Sequence, residues 1–256
     1  MRVGIAGILG RVGRLLVDEV RMSGLVLAGG TARPGAQVAS DIDLPLFDDI
    51  AALAAASDVV IDFTHAGAAA SHADCLATAG VAWVLGTTGL SADAQLRIDL
   101  AAARIPIVQA ANFSPGVALV VGLARQMAEA LPGDAYDAEI LEMHHRQKVD
   151  APSGTALALG EAVAAGRGGS LDEMRAPVRD GHGTARLPGS IGFAALRGGQ
   201  IVGEHTLLFT SGAEQIGLTH RAFDRRVFAA GAVRAARWTA TRPPGHYDMQ
   251  DVLGLR

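Results

Sequence analysis

The run Arg2-Val3-Gly4-Ile5-Ala6-Gly7-Ile8-Leu9-Gly10-Arg11-Val12-Gly13-Arg14 decides the architecture. Arg2 to Ala6 is short and mostly apolar, as a buried strand is. From Arg11 to Met22, the residues Val12, Leu15, Leu16 and Val20 recur on one face of a helix. Between the two lie Gly7, Gly10 and Gly13, spaced G-x-x-G-x-x-G. A turn of this kind brings backbone N–H groups close to a pyrophosphate, with the positive end of a helix behind them. A turn glycine followed by two helix-packing glycines would give the same spacing. Its place between a strand and a helix favours nucleotide binding.

The same alternation continues along the chain. Leu25 to Gly29, Asp58 to Phe63, Val81 to Leu85 and Ile105 to Gln109 read as strands. Phe47 to Ala56, Ala66 to Ala79 and Ser91 to Ala103 read as helices. Strands alternating with helices predict an α/β, Rossmann-like domain, with a parallel sheet covered on both faces. After Phe113 the pattern changes. A long apolar helix is expected from Pro115 to Leu131, an extended segment from Tyr136 to His145 and a helix from Ser153 to Ala165. Gly166 to Gly189 shows little periodicity. Ser190 to Leu196, Gln200 to Phe209 and Glu214 to His220 read as strands joined in hairpins by short connectors. That predicts a second, α+β domain with a mixed or antiparallel sheet. Asp224 is placed to cap a last helix running to about Trp238.

Composition narrows the function. The chain has 256 residues, half of them hydrophobic and 19% charged, which supplies a packed core and excludes disorder. With 22 Lys and Arg against 26 Asp and Glu the net charge is −4, which argues against a nucleic-acid partner. A single cysteine, Cys75, excludes a disulfide framework and fits a reducing, cytoplasmic setting. No signal-peptide pattern opens the sequence, and no run reaches the ~18 apolar residues of a membrane span.

Two further stretches carry chemistry. After the second strand, where an Asp or Glu would bond the ribose 2′-hydroxyl of NADH, stands Gly30-Thr31-Ala32-Arg33. Arg33, aided by Arg11, is instead suited to the 2′-phosphate of NADPH. Either cofactor is expected, with a tilt to NADPH. The second stretch runs Glu139-Ile140-Leu141-Glu142-Met143-His144-His145-Arg146-Gln147-Lys148-Val149-Asp150-Ala151-Pro152-Ser153-Gly154-Thr155-Ala156-Leu157. It sets histidines and a lysine at a strand end, followed by a helix start with unpaired N–H groups and a hydroxyl. Such a set suits a small anion undergoing proton transfer. Paired histidines at a strand end are also often mere surface residues.

This second stretch resembles the signature of the dihydrodipicolinate reductase family, of lysine and diaminopimelate synthesis. The likeness extends over nearly the whole chain. It takes in the glycine loop, Gly86-Thr87-Thr88-Gly89, Ala110-Ala111-Asn112-Phe113-Ser114, Ile191-Gly192-Phe193, Gly203-Glu204-His205-Thr206 and Tyr247-Asp248-Met249-Gln250-Asp251-Val252-Leu253. The resemblance implies NAD(P)H-dependent reduction of a cyclic, unsaturated imine dicarboxylate. It implies His144 as proton donor and acceptor, Lys148 as second proton donor and carboxylate partner, and His145, Gly154 and Thr155 as substrate contacts. For the cofactor it implies Gly7, Ile8, Leu9, Gly10, Arg11 and Val12 at the pyrophosphate, Gly86, Thr87 and Thr88 near the nicotinamide, and Ala110, Ala111, Asn112 and Phe113 at the hinge. It also implies a homotetramer, and a dinucleotide domain of residues 1–113 and 224–256 around a substrate and oligomerisation domain of residues 114–223. Closure about the hinge is expected to bring the two domains together.

Three rival readings are weaker. A semialdehyde dehydrogenase needs a cysteine nucleophile, and Cys75 sits mid-helix among alanines. A silent nucleotide sensor has no use for His144, Lys148 and the Ser153-Gly154-Thr155 helix start together. A zinc site from His144, His145 and His182 suffers because adjacent strand residues point to opposite faces.

Overall fold

A computed structural model describes residues 1–33, 35, 45–179 and 181–255. Asp180, inside the expected unperiodic stretch, and Arg256 lie outside them. The chain divides into two compact units, Met1–Pro115 with Arg226–Arg256, and Gly116–Arg225.

The first unit begins with β1 (Arg2–Ala6), α1 (Arg11–Met22), β2 (Val26–Thr31), β3 (Leu46–Phe47) and α2 (Ile50–Ala56). It continues with β4 (Val59–Asp62), α3 (Ala66–Ala79), β5 (Ala82–Leu85), α4 (Ala92–Ala102) and β6 (Pro106–Gln109). The sheet order is β11-β6-β5-β4-β1-β2-β3, where β11 is Gly245–Tyr247, and every pairing is parallel. All four residues of β4 and of β5 are buried, as in a sheet covered on both faces. Trp83, Leu85, Leu76, Ile98 and Ile107 fill one of the resulting cores. Ser91 and Asp49 cap α4 and α2 through their side-chain oxygens, so both helices start where the sequence supplies an acceptor. The chain leaves β1 toward β2 and returns on its other side to β4. That is the switch point where α/β sheets open a crevice at their strand ends.

The second unit holds α5 (Pro115–Ala130) from its second residue on, β7 (Asp137–His144), α6 (Gly154–Gly166), α7 (Leu171–Met174), β8 (Ile191–Arg197), β9 (Gly203–Thr210) and β10 (Gln215–Ala222). Its sheet runs β10-β9-β7-β8 and is mixed, since β7 and β8 are parallel and the other pairs antiparallel. One face of β7 is buried at alternate positions, Ala138, Ile140, Glu142 and His144, as the period of a strand requires. Ala138 and Ile140 join Leu207, Phe209, Leu159 and Val163 in the core under α5 and α6.

The structure departs from the sequence reading in three places. Only β9 and β10 form a hairpin, because β7 lies between β8 and β9. The connector after β8 instead folds over the end of β7, with Gly198 N–H donating to the His144 carbonyl at 2.9 Å. Leu46–Phe47 is a two-residue strand pairing with β2, so the helix begins only at Ile50. Beyond α8 (Arg226–Thr239), which starts two residues after Asp224, the chain adds β11 and α9 (Met249–Leu253). Asp248 caps α9 by accepting from the amides of Gln250 and Asp251. Neither element shows a long apolar period, and β11 is fixed by pairing with β6.

Candidate active site

The buried face of β7 is apolar at its start and ionic at its end. Glu142 is fully buried there, and three partners offset the cost of burying it. Nδ1 of His144 lies 2.6 Å from its Oε2. The guanidinium of Arg197 donates to both carboxylate oxygens at 2.8 Å. The backbone N–H of Ser153 donates to Oε1 at 3.1 Å. Burial alone would raise the Glu142 carboxyl, but the bonds from Arg197 and His144 hold it below the usual carboxylate range. His144 moves down chiefly because it is buried; Glu142 opposes that shift, and Lys148 and Arg197 reinforce it. The Glu142 contact takes Nδ1 and leaves Nε2 as the nitrogen that can trade a proton. Nε2 lies over Gly203, where a Cβ would come within 3.0 Å of it, so the lack of a side chain there gives the ring its room.

The loop from β7 to α6 brings the remaining groups. Ser153 caps α6, its Oγ accepting from Ala156 N–H at 3.3 Å, which sets Gly154 and Thr155 in the first turn, at the positive end of the helix. A Cβ built on Gly154 meets nothing within 4 Å, so the approach to that turn is open. Lys148 reaches both oxygens of Asp150 at 2.9 and 2.8 Å. His145 follows directly on β7, with its Nδ1 buried and without a hydrogen-bond partner among the described residues. Thus His144, Lys148, Gly154 and Thr155, all singled out in the sequence, belong to one strand end and the helix start after it.

Sequence reasoning gave no role to Glu142, Arg197 or His205, and read Ser153 as part of the helix start, where it is the cap. His205 faces Glu142 across the β7–β9 pair, its Nε2 3.0 Å from Ser153 Oγ and its ring edge-on to His144 at 5.1 Å. Burial pushes its pKa from the ordinary 6.5 down to about 4, so the folded protein keeps it neutral where the unfolded chain takes up a proton. Its contribution to stability is therefore intact above pH 6.5 and is lost as pH falls toward 4, at about 1.4 kcal/mol per pH unit. The thermal midpoint is expected to drop across that window, and less steeply in His205→Gln. An equal slope in the variant would contradict this account of His205.

The crevice in the first unit fits a dinucleotide. Gly7 adopts φ +77°, a conformation that suits glycine, and a Cβ on Gly13 would lie 2.3 Å from the Gly7 carbonyl. A cavity of about 590 Å³ opens there, bordered by Gly7, Leu9, Gly10, Arg33, His65 and His72 among others. The amides of Gly7 and Ile8 donate to the Thr31 carbonyl at 3.0 Å. A phosphate would therefore be met by the amides of Arg11 and Val12 at the start of α1. Ile8 points its side chain into the core, and Phe113 is buried edge-on against Phe63. Those two expected contacts are packing residues with only backbone atoms to offer. The hydroxyl of Thr87 is buried with no hydrogen-bond partner among the described residues, a vacancy a bound cofactor can fill. Thr88 and Ala111 are exposed, Gly86 and Ala110 half-buried, and the Asn112 side chain accepts from Ser114 N–H at 2.8 Å. His72 was not foreseen either; its Nδ1 lies 2.7 Å from the buried Asp62.

The rival chemistries find little support. Cys75 is half-buried in α3, and burial, with Asp49 adding to it, raises its thiol rather than activating it. Among the described residues no group of three or more His, Cys, Asp or Glu is arranged to hold a metal ion. No helix among them is long and apolar enough to cross a membrane.

The family model "Dihydrodipicolinate reductase, N-terminus" matches residues 1–113, and "Dihydrodipicolinate reductase, C-terminus" matches residues 116–253. The chain is 64% identical, over 255 residues, to a protein of Gluconacetobacter diazotrophicus named 4-hydroxy-tetrahydrodipicolinate reductase, covering 100% of this chain and 98% of that one. A protein of the same name from Granulibacter bethesdensis is 58% identical over 256 residues, covering 100% and 98%. Among solved structures, a dipicolinate-bound dihydrodipicolinate reductase from Paenisporosarcina sp. TG-14 superposes with a TM-score of 0.81 at 22% identity, covering 98% of each chain. That likeness is one of fold. By its sequence over both units, this chain belongs to the dihydrodipicolinate reductase family.

Proposed function

We propose that the chain reduces 4-hydroxy-tetrahydrodipicolinate, or dihydrodipicolinate, to tetrahydrodipicolinate in diaminopimelate and lysine synthesis, and that His144 and Lys148 carry its proton chemistry. The observation that carries this reading is the end of β7, where a buried Glu142 holds His144 at 2.6 Å, close in sequence to Lys148 and the open turn of α6. Bound in the crevice of the first unit, a reduced nicotinamide supplies the hydride. Reduction leaves negative charge along the ring's conjugated system, and His144 Nε2 meets it with a proton. Lys148 exchanges Asp150 for a substrate carboxylate. Reduction itself takes one hydride and the one proton from His144, so Lys148 acts as the second donor where the 4-hydroxy compound is the substrate, protonating the hydroxyl that leaves as water and regaining the ring proton lost with it. The amides of Gly154 and Thr155 and the Thr155 hydroxyl take the same carboxylate at the positive end of α6. His145 supports the ring from its side. In this reading residues 1–113 and 224–256 bind the dinucleotide, and residues 114–223 bind substrate.

Pyridine-2,6-dicarboxylate, planar and doubly charged like the substrate, is expected to inhibit competitively. Thr155→Val keeps the shape of the side chain and deletes its donor. A hydrogen bond to a charged group is worth about 1.5–3 kcal/mol, so the inhibition constant should rise at least about tenfold. Equal inhibition of both proteins would place the carboxylate pocket elsewhere.

The same reading gives the cofactor as NADPH or NADH, with a tilt to NADPH. It is supported by Arg33 on the wall of the crevice and by the absence of an acid at Gly30-Thr31-Ala32-Arg33. Arg11, exposed at the first turn of α1, is the second cation offered to the 2′-phosphate. Arg33→Ala should lower the ratio of kcat/KM for NADPH over NADH several-fold. A ratio that does not move would mean that this loop does not read the 2′ position. Assembly as a homotetramer is supported by the face of the second sheet turned away from the core, where Leu196, in register with Met143, stands exposed. A cytoplasmic setting is supported by the single cysteine.

A further inference from the structure

Arg197 ends β8, directly opposite His144 in the parallel register. Its guanidinium makes four contacts. Nη1 donates to Glu142 Oε2 at 2.8 Å and to the Leu196 carbonyl at 2.7 Å; Nη2 donates to Glu142 Oε1 at 2.8 Å and to the Asp150 carbonyl at 2.6 Å. Each oxygen of Glu142 therefore carries two donors, one of them from Arg197. A two-pronged contact of this kind fixes the plane of the carboxylate as well as its position. One oxygen is aimed at Nδ1 of His144, the other at the Ser153 amide that opens α6.

We propose that Arg197 is a positioning residue for the acid: its fork on Glu142 commits Nδ1 of His144 to the carboxylate and Nε2 to the substrate, and draws off enough of the carboxylate's charge that the imidazolium releases its proton. The proposal rests on reading His144 as the acid. A buried carboxylate paired with His144 alone would hold the imidazolium as a tight ion pair, and a proton so held is transferred reluctantly. Arg197 shares that carboxylate and adds a cation that disfavours the charged ring. The other groups facing His144 are Lys148 in the following loop, which also disfavours its charge, and neutral His205 on β9. Asp150 faces Lys148, and His220 on β10 acts on His205. The bond from Arg197 to the Asp150 carbonyl also ties the loop of Lys148 to β8, so one guanidinium sets both proton donors.

Imidazole NMR titration of His144, run beside the pH profile of kcat/KM, tests this. In Arg197→Met and Arg197→Gln the His144 titration should rise by about one pH unit, and the high-pH limb of kcat/KM should rise with it. Arg197→Lys keeps the charge, so both should stay near wild type while kcat falls, because an ammonium cannot make the two-pronged contact. If Arg197→Met does not fold, the Gln variant, which can still donate to Glu142, carries the test. A titration that stays put or falls in the neutral variants, whatever happens to kcat, overturns the proposal. If the wild-type protein reduces no dicarboxylate, the functional reading fails separately, and the NMR titration still judges Arg197.

Discussion

Replacing His144 with alanine should lower kcat by about 10²–10⁴-fold in a protein that still folds, the range spanned by one positioned acid. The fold survives for a specific reason. Truncating a partner of a buried ion is damaging when it leaves the charge alone. Here Glu142 keeps the two prongs of Arg197 and the Ser153 amide after the imidazole has gone. Circular dichroism and a thermal melt check the fold, and turnover under saturating cofactor checks the chemistry. The pH profile supplies a second signature. Burial pushes the His144 imidazole below its ordinary range, so the protonated form fades as pH rises and kcat/KM falls with it. A bound dianion favours the imidazolium, so the corresponding limb of kcat should lie at higher pH. Both limbs should vanish in His144→Ala. Wild-type turnover in the folded variant would remove His144 from the mechanism.

Lys148→Ala should cut kcat/KM by an even larger factor, because it removes two functions at once. Loss of a charge-assisted bond to a carboxylate costs about 1.5–3 kcal/mol, roughly ten- to hundredfold, and should appear in KM. Loss of the second proton donor should appear in kcat. Lys148 sits in a surface loop with a fifth of its side chain exposed and Asp150 as its partner, so removing it spares the core. Lys148→Arg separates the two functions. A guanidinium still binds the carboxylate but does not give up a proton near neutral pH, so KM should recover and kcat should not. Recovery of both would reduce Lys148 to a binding residue.

The first unit was legible because each step is local. A glycine turn, an apolar strand and a helical stripe are all written within about thirty residues, and the expected range Ala66 to Ala79 is the range of α3. The second sheet was less so. The connector after Arg197 is as short as a hairpin's, and nothing in Ser190 to Phe209 reveals that β7 occupies the space between the two strands. The site divides in the same way. His144, Lys148, Gly154 and Thr155 follow one another along the chain and could be read together. Arg197 and His205 meet Glu142 only through the sheet: register pairs His205 with Glu142, 63 residues away, and sets Arg197 opposite His144, from where its side chain reaches Glu142, 55 residues away. Glu142 itself carried one usable signal: a carboxylate on the inward side of an otherwise apolar alternation, two residues before a histidine. Ile8 and Phe113 show the converse. They sit inside motifs expected to bind cofactor, yet their side chains serve the core.

The most direct test of the account is substrate-dependent oxidation of NADPH and NADH. Pyruvate, aspartate semialdehyde and the synthase that condenses them generate the unstable substrate in the cuvette, and the absorbance of the reduced cofactor is followed. The account predicts rapid loss of absorbance only when this protein and all the substrate-forming components are present, with a rate ~10²–10⁴-fold lower for His144→Ala. A folded wild-type protein that binds NADPH but leaves its absorbance unchanged, or a His144→Ala variant as fast as wild type, would contradict it.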